Sequence, residues 1–243
     1  MAVTKSVVVL GVGASNGVGG ALARRFAREG LHAIIAGRTL EKVEAVAEVV
    51  REAGGSAEAV RTDVTQPEDQ DTLFATVAER GEVAAVLYNA GNNAIIPFEQ
   101  LEAETYEAFW RVGNFGAFLT AKRAIPILKA QGEGSLFFTG ASGSMRGKAN
   151  FAHFASMKAG LRMLTQSLAR EFGPAGVHVA HFVIDGVING EMIQNRIPQY
   201  LEKLGEDGSL KPDAIAEAFW HVHTQHRSAW THELDLRPFK ENW

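Results

Sequence analysis

Gly13, Gly17 and Gly19 are the residues whose spacing carries chemistry most directly. They follow the apolar run Val7-Val8-Val9-Leu10 and lead into an amphipathic segment with Leu22 and Phe26 on one face. The order reads as a buried strand, a tight turn and a helix start. A turn without side chains lets a large anion approach the backbone. The N–H groups and dipole of a helix start favour a pyrophosphate there. The spacing Gly13-x-x-x-Gly17-x-Gly19 differs from the commoner G-x-G-x-x-G, and its place between strand and helix supports nucleotide binding. His221, His223 and His226 also look ligand-like. On a helix only 223 and 226 share a face, and no nearby acid completes a set, so no metal is expected. His178 and His181 lie three apart on a predicted strand, point to opposite faces and read as structural.

The elements that must position the glycine turn alternate along the chain. Strands are expected at Val7–Leu10, Ala33–Ala36, Ala57–Arg61, Val83–Tyr88, Ser135–Thr139, Val177–Ile184 and His232–Leu236. Helices are expected at Gly17–Arg28, at Thr39–Ala53 with Thr39 as its cap, and from Pro67 to about Arg80. A long helical stretch runs from Leu101 to Leu128 with a break near Gly113, and another helix spans Phe151–Phe172. A short helix around Met192–Leu204 and one opening at Lys211-Pro212-Asp213 follow. Repeated β-then-α units imply a parallel sheet with helices on both faces, and right-handed crossovers make it doubly wound. The α/β reading is a single doubly wound domain over residues 1–243, its sheet mostly parallel with about seven strands. The polar region at about 186–210 would form a lid, and Ile188, Met192, Ile193, Ile197, Tyr200 and Leu204 suggest a partly hydrophobic ligand; a helix packing on the core would look the same.

Bulk properties narrow the class. The length of 243 residues suits one α/β domain with a sizeable core. A hydrophobic share of 46% against 21% charged excludes a disordered chain. A net charge of −4 leaves no basic field for nucleic acid. There is no cysteine, which excludes disulfides and thiolate metal sites. No apolar run reaches membrane-spanning length, and the N-terminus lacks a signal-peptide pattern. A cytoplasmic protein with a small-molecule substrate, and no nucleic acid or membrane partner, is expected.

With these motifs in order, the chain resembles the short-chain dehydrogenase/reductase family over nearly its whole length. The matches are the Gly13-x-x-x-Gly17-x-Gly19 turn, Asp63-Val64 after strand three, Asn89-Ala90-Gly91 after strand four, and Ala155-Ser156-x-Lys158-Ala159. The resemblance implies a seven-stranded Rossmann fold, a nicotinamide dinucleotide and hydride transfer to or from a carbonyl or alcohol. It implies that Gly13, Gly17 and Gly19, with Ser15, Asn16 and Val18 between them, line the pyrophosphate. Asp63 and Val64 would hold the adenine edge, Asn89, Ala90 and Gly91 would sit under the adenosine ribose, and Lys158 would hydrogen-bond the nicotinamide ribose. The plain alternative for Lys158 is a solvated helix lysine. The family assembles as dimers or tetramers, so a homodimer or homotetramer is expected. Trp220, Trp230, Trp243, Phe219 and Phe239 would serve the core or a subunit interface.

Cofactor choice is read at the end of strand two, where an NAD enzyme usually places a carboxylate for the ribose 2′-OH. Here the chain reads Ala36-Gly37-Arg38-Thr39, with Lys42 close by. A guanidinium can grip a 2′-phosphate through paired hydrogen bonds, so NADP is preferred to NAD. A surface arginine without a partner is the alternative.

The catalytic positions depart from the family. Its tyrosine, four residues before the lysine, is Phe154 here, and its serine, thirteen residues earlier still, is Ala141. Its asparagine falls at Gly113, beside Asn114. Carbonyl reduction needs a proton on oxygen as well as a hydride on carbon, and phenylalanine has none to give. Besides Lys158, the candidates for catalysis are Ser142 next to the lost serine, His153 next to the lost tyrosine, and Asn114 if the helix break shifts register by one residue. His153 should point about 100° away from the Phe154 direction, which leaves a surface or interface histidine as the alternative. Two functions fit: an NADP(H)-dependent oxidoreductase acting on a small carbonyl, alcohol or enone with a non-standard proton donor, or a catalytically inactive NADP(H)-binding sensor or oligomeric scaffold.

Overall fold

A computed structural model describes residues 5–241; Trp243 lies outside the described residues. Seven strands form one sheet: β1 Ser6–Leu10, β2 His32–Gly37, β3 Ser56–Arg61, β4 Val83–Tyr88, β5 Ser135–Thr139, β6 His178–Ile184 and β7 Glu233–Leu236. Their order is β3-β2-β1-β4-β5-β6-β7, and every pairing is parallel. The α/β doubly wound sheet expected from the sequence is therefore present, and the progression of strand order, not strand direction, reverses between β1 and β4, the usual place for a ligand crevice.

Side-chain alternation along the strands builds two cores. On one face Val7 and Val9 pack with α1 (Val18–Ala27), α2 (Leu40–Glu52) and α9 (Pro212–His223). On the other, Val8 and Leu10 pack with α3 (Pro67–Arg80), α5 (Gly116–Gln131) and α6 (Ala152–Phe172). Strands buried on both faces read as continuous apolar runs, which is why β1 and β4 were plain in the sequence.

Two local expectations are corrected and one is refined. The break expected near Gly113 in the stretch Leu101–Leu128 takes the form of a π-turn rather than a helix end. The stretch runs as α4 (Ala103–Trp110), a wide π-turn (Arg111–Phe115) and α5, in one winding path. The lid region holds two short helices, α7 (Glu191–Arg196) and α8 (Pro198–Leu204), because Pro198 starts a new helix and restricts Ile197 before it. Thr39 precedes α2 in extended conformation without a side-chain cap; its carbonyl receives Lys42 and Val43 N–H instead. No helix among the described residues is long and apolar enough to cross a membrane.

Candidate active site

The site is built where β1, β4 and β5 end side by side. Gly11 leaves β1 with φ +79°, and a Cβ there would drive into the Ala90 backbone. This close approach was not legible in the glycine spacing, because Ala90 lies on a distant strand end. Gly11→Ala is expected to lower stability by about 2–4 kcal/mol, since strain and overlap act together. Urea unfolding checks this: a midpoint within error of the parent would show that the two strand ends can part.

Beyond Gly11 the cradle opens. Nothing lies within 4 Å of a Cβ placed on Gly13. Gly17 precedes α1 in extended conformation, Val18 starts the helix and is buried, and Gly19 faces Val12 and the Asn89 amide. Ser15 is held by Arg24, which bonds its carbonyl and reaches Asp213 on α9 at 2.8 Å. Asn16 turns to the lid: its Oδ1 accepts from Glu191 N–H at 3.2 Å, and its Nδ2 donates to Gln194 Oε1 at 2.9 Å.

A cavity of about 240 Å³ continues from the cradle and brings Gly13, Arg38, Asp63, Val64, Ala90 and Gly91 together with Gly37, Thr39 and Lys42. A Cβ on Gly37 would collide with the Val12 carbonyl, so the floor admits no side chain there. Among the described residues neither Arg38 nor Lys42 forms a salt bridge. Asp63 is occupied locally: its Oδ1 accepts from Thr65 N–H at 2.9 Å and Thr65 Oγ1–H at 2.8 Å. Asn89 stitches the strand ends. Its N–H donates to Leu10 O, its Nδ2 to Gly11 O at 3.3 Å, and its Oδ1 accepts from Thr139 Oγ1–H at 3.0 Å.

Lys158 enters from α6. It is only 5% exposed, and its Nζ donates to Thr139 O at 2.7 Å. A Cβ on Gly91 would stand 3.3 Å from that nitrogen. Burial pushes the ammonium down from its ordinary 10.5 to about 8. The solvated-lysine alternative therefore does not hold. Phe154, one turn earlier on α6, lays its ring against Gly143 in the turn Ser142–Ser144. Ser142 in that turn is half-buried.

His153 and Asn114 fall elsewhere. His153 is not a surface or interface histidine: it is 1% exposed, its ring 4.3 Å from that of Phe109 on α4. Both its nitrogens lack a hydrogen-bond partner among the described residues. The face of α6 carrying His153 and Met157 packs against α4 and the π-turn, while Phe154 and Lys158 face the cradle side. The π-turn seats Gly113 on the Met157 sulfur and aims the Asn114 amide at Gly160. Asn114 thus meets α6 further along its axis than Lys158.

Residues 7–200 match the family described as short chain dehydrogenase. The chain belongs to this family. Among its relatives, an uncharacterized oxidoreductase of Bacillus subtilis, YuxG, is 31% identical over 87% of this chain, and the chain spans only 31% of YuxG. The 3beta-hydroxysteroid dehydrogenase 1 of Eggerthella lenta is 35% identical over 76% of this chain and 71% of its own length. An alcohol dehydrogenase from Thermococcus sibiricus, solved with 5-hydroxy-NADP, superposes with a TM-score of 0.84 at 26% identity, covering 98% of both chains.

Proposed function

We propose that this short-chain dehydrogenase family member is an NADP(H)-dependent oxidoreductase acting on a small carbonyl, alcohol or enone, with a proton source other than tyrosine. The observation that carries the reading is one continuous surface: an open glycine cradle, a cavity floored by Gly37 and rimmed by Arg38 and Lys42, and buried Lys158 against Gly91. These residues fit a phosphorylated dinucleotide. Gly13, Ser15, Asn16, Gly17, Val18 and Gly19 would take the pyrophosphate, Arg38 and Lys42 the 2′-phosphate, Asp63 and Val64 the adenine, Asn89, Ala90 and Gly91 the ribose, and Lys158 the nicotinamide ribose. The 5-hydroxy-NADP of the Thermococcus sibiricus enzyme supports the same choice. When bound, NADPH supplies the hydride. Phe154 and Ala141 stand at the family's tyrosine and serine positions, so the half-buried Ser142 hydroxyl and Lys158 are the proton-bearing groups best placed near the substrate oxygen. The burial of His153 against Phe109 argues against it in that role.

The test of cofactor choice is Arg38→Ala. A lost charge-assisted hydrogen bond is worth about 1.5–3 kcal/mol, so NADPH affinity should fall about 10- to 150-fold while NADH affinity stays within about twofold. Calorimetric titration reads both, and equal losses for the two dinucleotides would overturn the assignment.

A second reading rests on Phe154 and Ala141 themselves: a catalytically inactive NADP(H) sensor or scaffold. Turnover of any carbonyl, alcohol or enone that disappears in Lys158→Ala decides against it. The half-exposed row Trp110, Phe115 and Phe118, whose successive centroids lie 5.8 and 6.2 Å apart, supports a homodimer or homotetramer. A cytoplasmic setting completes the reading.

A further inference from the structure

Beneath α6 lies a row of polar groups that apolar packing does not require. Ser144 closes the turn Ser142–Ser144 and is 5% exposed. Its Oγ accepts from Ala141 N–H at 3.2 Å and lies 3.3 Å from Nε2 of His181 on β6. His181 is fully buried, and its Nδ1 is 3.0 Å from Glu233 Oε2 on β7. Glu233 is gripped by Nε and Nη2 of Arg162 on α6, both at 2.7 Å. Four residues on four elements thus join a partly exposed ion pair to a buried serine inside the substrate turn.

Donor and acceptor counting fixes the protons. Paired hydrogen bonds from Arg162 hold the Glu233 carboxyl below the usual carboxylate range, and His181 adds to the effect. A carboxylate only accepts, so Nδ1 of His181 carries the proton. Burial keeps that imidazole neutral by pushing it down to about 4. Nε2 is then an acceptor, and the Ser144 hydroxyl donates to it. The hydroxyl oxygen in turn receives Ala141 N–H, so one arginine sets the orientation of every group up to the turn. The imidazole also seats the end of β5, because a Cβ on Gly140 would enter the ring. The residue before it, Thr139, provides the carbonyl that holds Lys158.

We propose that His181 and Glu233 are positioning residues that lock, through Ser144, the turn presenting Ala141 and Ser142 to the substrate oxygen. The assignment rests on the oxidoreductase reading of the site. The charged or titratable groups facing His181 are Glu233 from β7 and Arg162 and Lys158 from α6. Below about pH 4 the ring gains a proton at Nε2, and the Ser144 bond must reverse.

Two measurements on the full chain test this. The first is the ¹⁵N spectrum of the imidazoles, with His181 assigned through His181→Gln. The expected form is protonated at Nδ1 and bare at Nε2 from pH 6 to 8, with Ser144→Ala moving Nε2 and sparing Nδ1. A tautomer mixture, or an Nε2 signal indifferent to Ser144→Ala, overturns the lock. The second is steady-state kinetics on a carbonyl or enone that the protein turns over. Ser144→Ala and Glu233→Gln should each lower kcat about 10- to 100-fold, with NADPH affinity within about twofold, because a misplaced turn loses alignment rather than cofactor. The double variant should be no worse than the poorer single one, as for groups acting as a unit. Multiplying losses, or an effect on KM alone, overturns the positioning role. Glu233 is partly exposed, so its variant is judged even where His181→Gln fails to fold. A protein that turns over nothing sinks the oxidoreductase reading and the reaction role with it, while the spectra judge the lock separately.

Discussion

Phe154→Tyr combined with Ala141→Ser is expected to raise the rate of ketone reduction about 100- to 10,000-fold. On the proposed reading the slow step is delivery of a proton to the oxygen that becomes an alcohol, because no tyrosine stands beside Lys158, and a positioned general acid contributes about that factor. The geometry is ready for it. Phe154 and Lys158 occupy one face of α6, and the Phe154 ring already rests on the substrate turn at Gly143. A phenol placed there would feel the Lys158 ammonium, which favours the phenolate and so lowers the acid's pKa. The ring is half-buried, so a para hydroxyl keeps access to water. Either substitution alone should give much less, because acid and oxyanion donor act together. Single-turnover stopped flow at saturating NADPH reads the chemical step without product release. An unchanged rate would show that the native chain already supplies its proton well, or that hydride transfer never occurs.

Lys158→Met is expected to do two opposite things: cut turnover about 100-fold or more with weaker NADPH binding, and raise thermal stability at pH 7. The reason is burial. Lys158 is 5% exposed and its ammonium donates to Thr139 O. Its folded pKa of about 8 lies below the ordinary 10.5, so the fold disfavours the charged form. The penalty is complete below about pH 8 and fades as pH climbs towards 10.5, where the unfolded chain also loses the proton. The parent should therefore gain stability across that window, and the methionine variant should not. One pKa unit corresponds to about 1.4 kcal/mol, so a gain of about 1–3 kcal/mol at pH 7 is reasonable after allowing for the orphaned Thr139 carbonyl. For a chain of this length that is about 2–10 °C in Tm. Calorimetry of both proteins at pH 7 and pH 10 reads it. A variant that melts earlier at pH 7 would show that the ammonium is well solvated in place.

How much of this was legible depended on how local each signal is. The glycine cradle, the basic step at Arg38 and the pair Phe154 and Lys158 are short-range patterns, written within one turn or one helix. The parallel, doubly wound sheet followed from alternating apolar runs and amphipathic stretches, whereas the strand order emerges only from the pairing of distant segments. His181 was read as facing opposite to His178, and it does: His178 stacks on Trp230 at 4.5 Å on the far side, while His181 reaches Ser144. What the spacing could not reveal was the partnership of Ser144, Arg162, His181 and Glu233, which belong to four elements and meet only when β6, β7 and α6 pack. Gly11 escaped for the same reason, since its constraint comes from Ala90. His153 looked polar and was expected outside, but its neighbours on α6 place it in the apolar seam with Phe109, where the helix angle overrides residue type.

The π-turn at Arg111–Phe115 bears on how this helix can tolerate gain or loss of a residue. A π-turn holds one residue more than an α-turn, so it stores a single insertion without breaking the rod. Deleting one residue there would let the segment rewind as ordinary α-helix and swing whatever lies on one side of it by about 100° against the other. Gly113 would leave the Met157 sulfur, Asn114 would leave Gly160, and the aromatic row from Trp110 to Phe118 would no longer be continuous. A change of one codon in length would thus rotate a whole face of the molecule while leaving its sheet untouched.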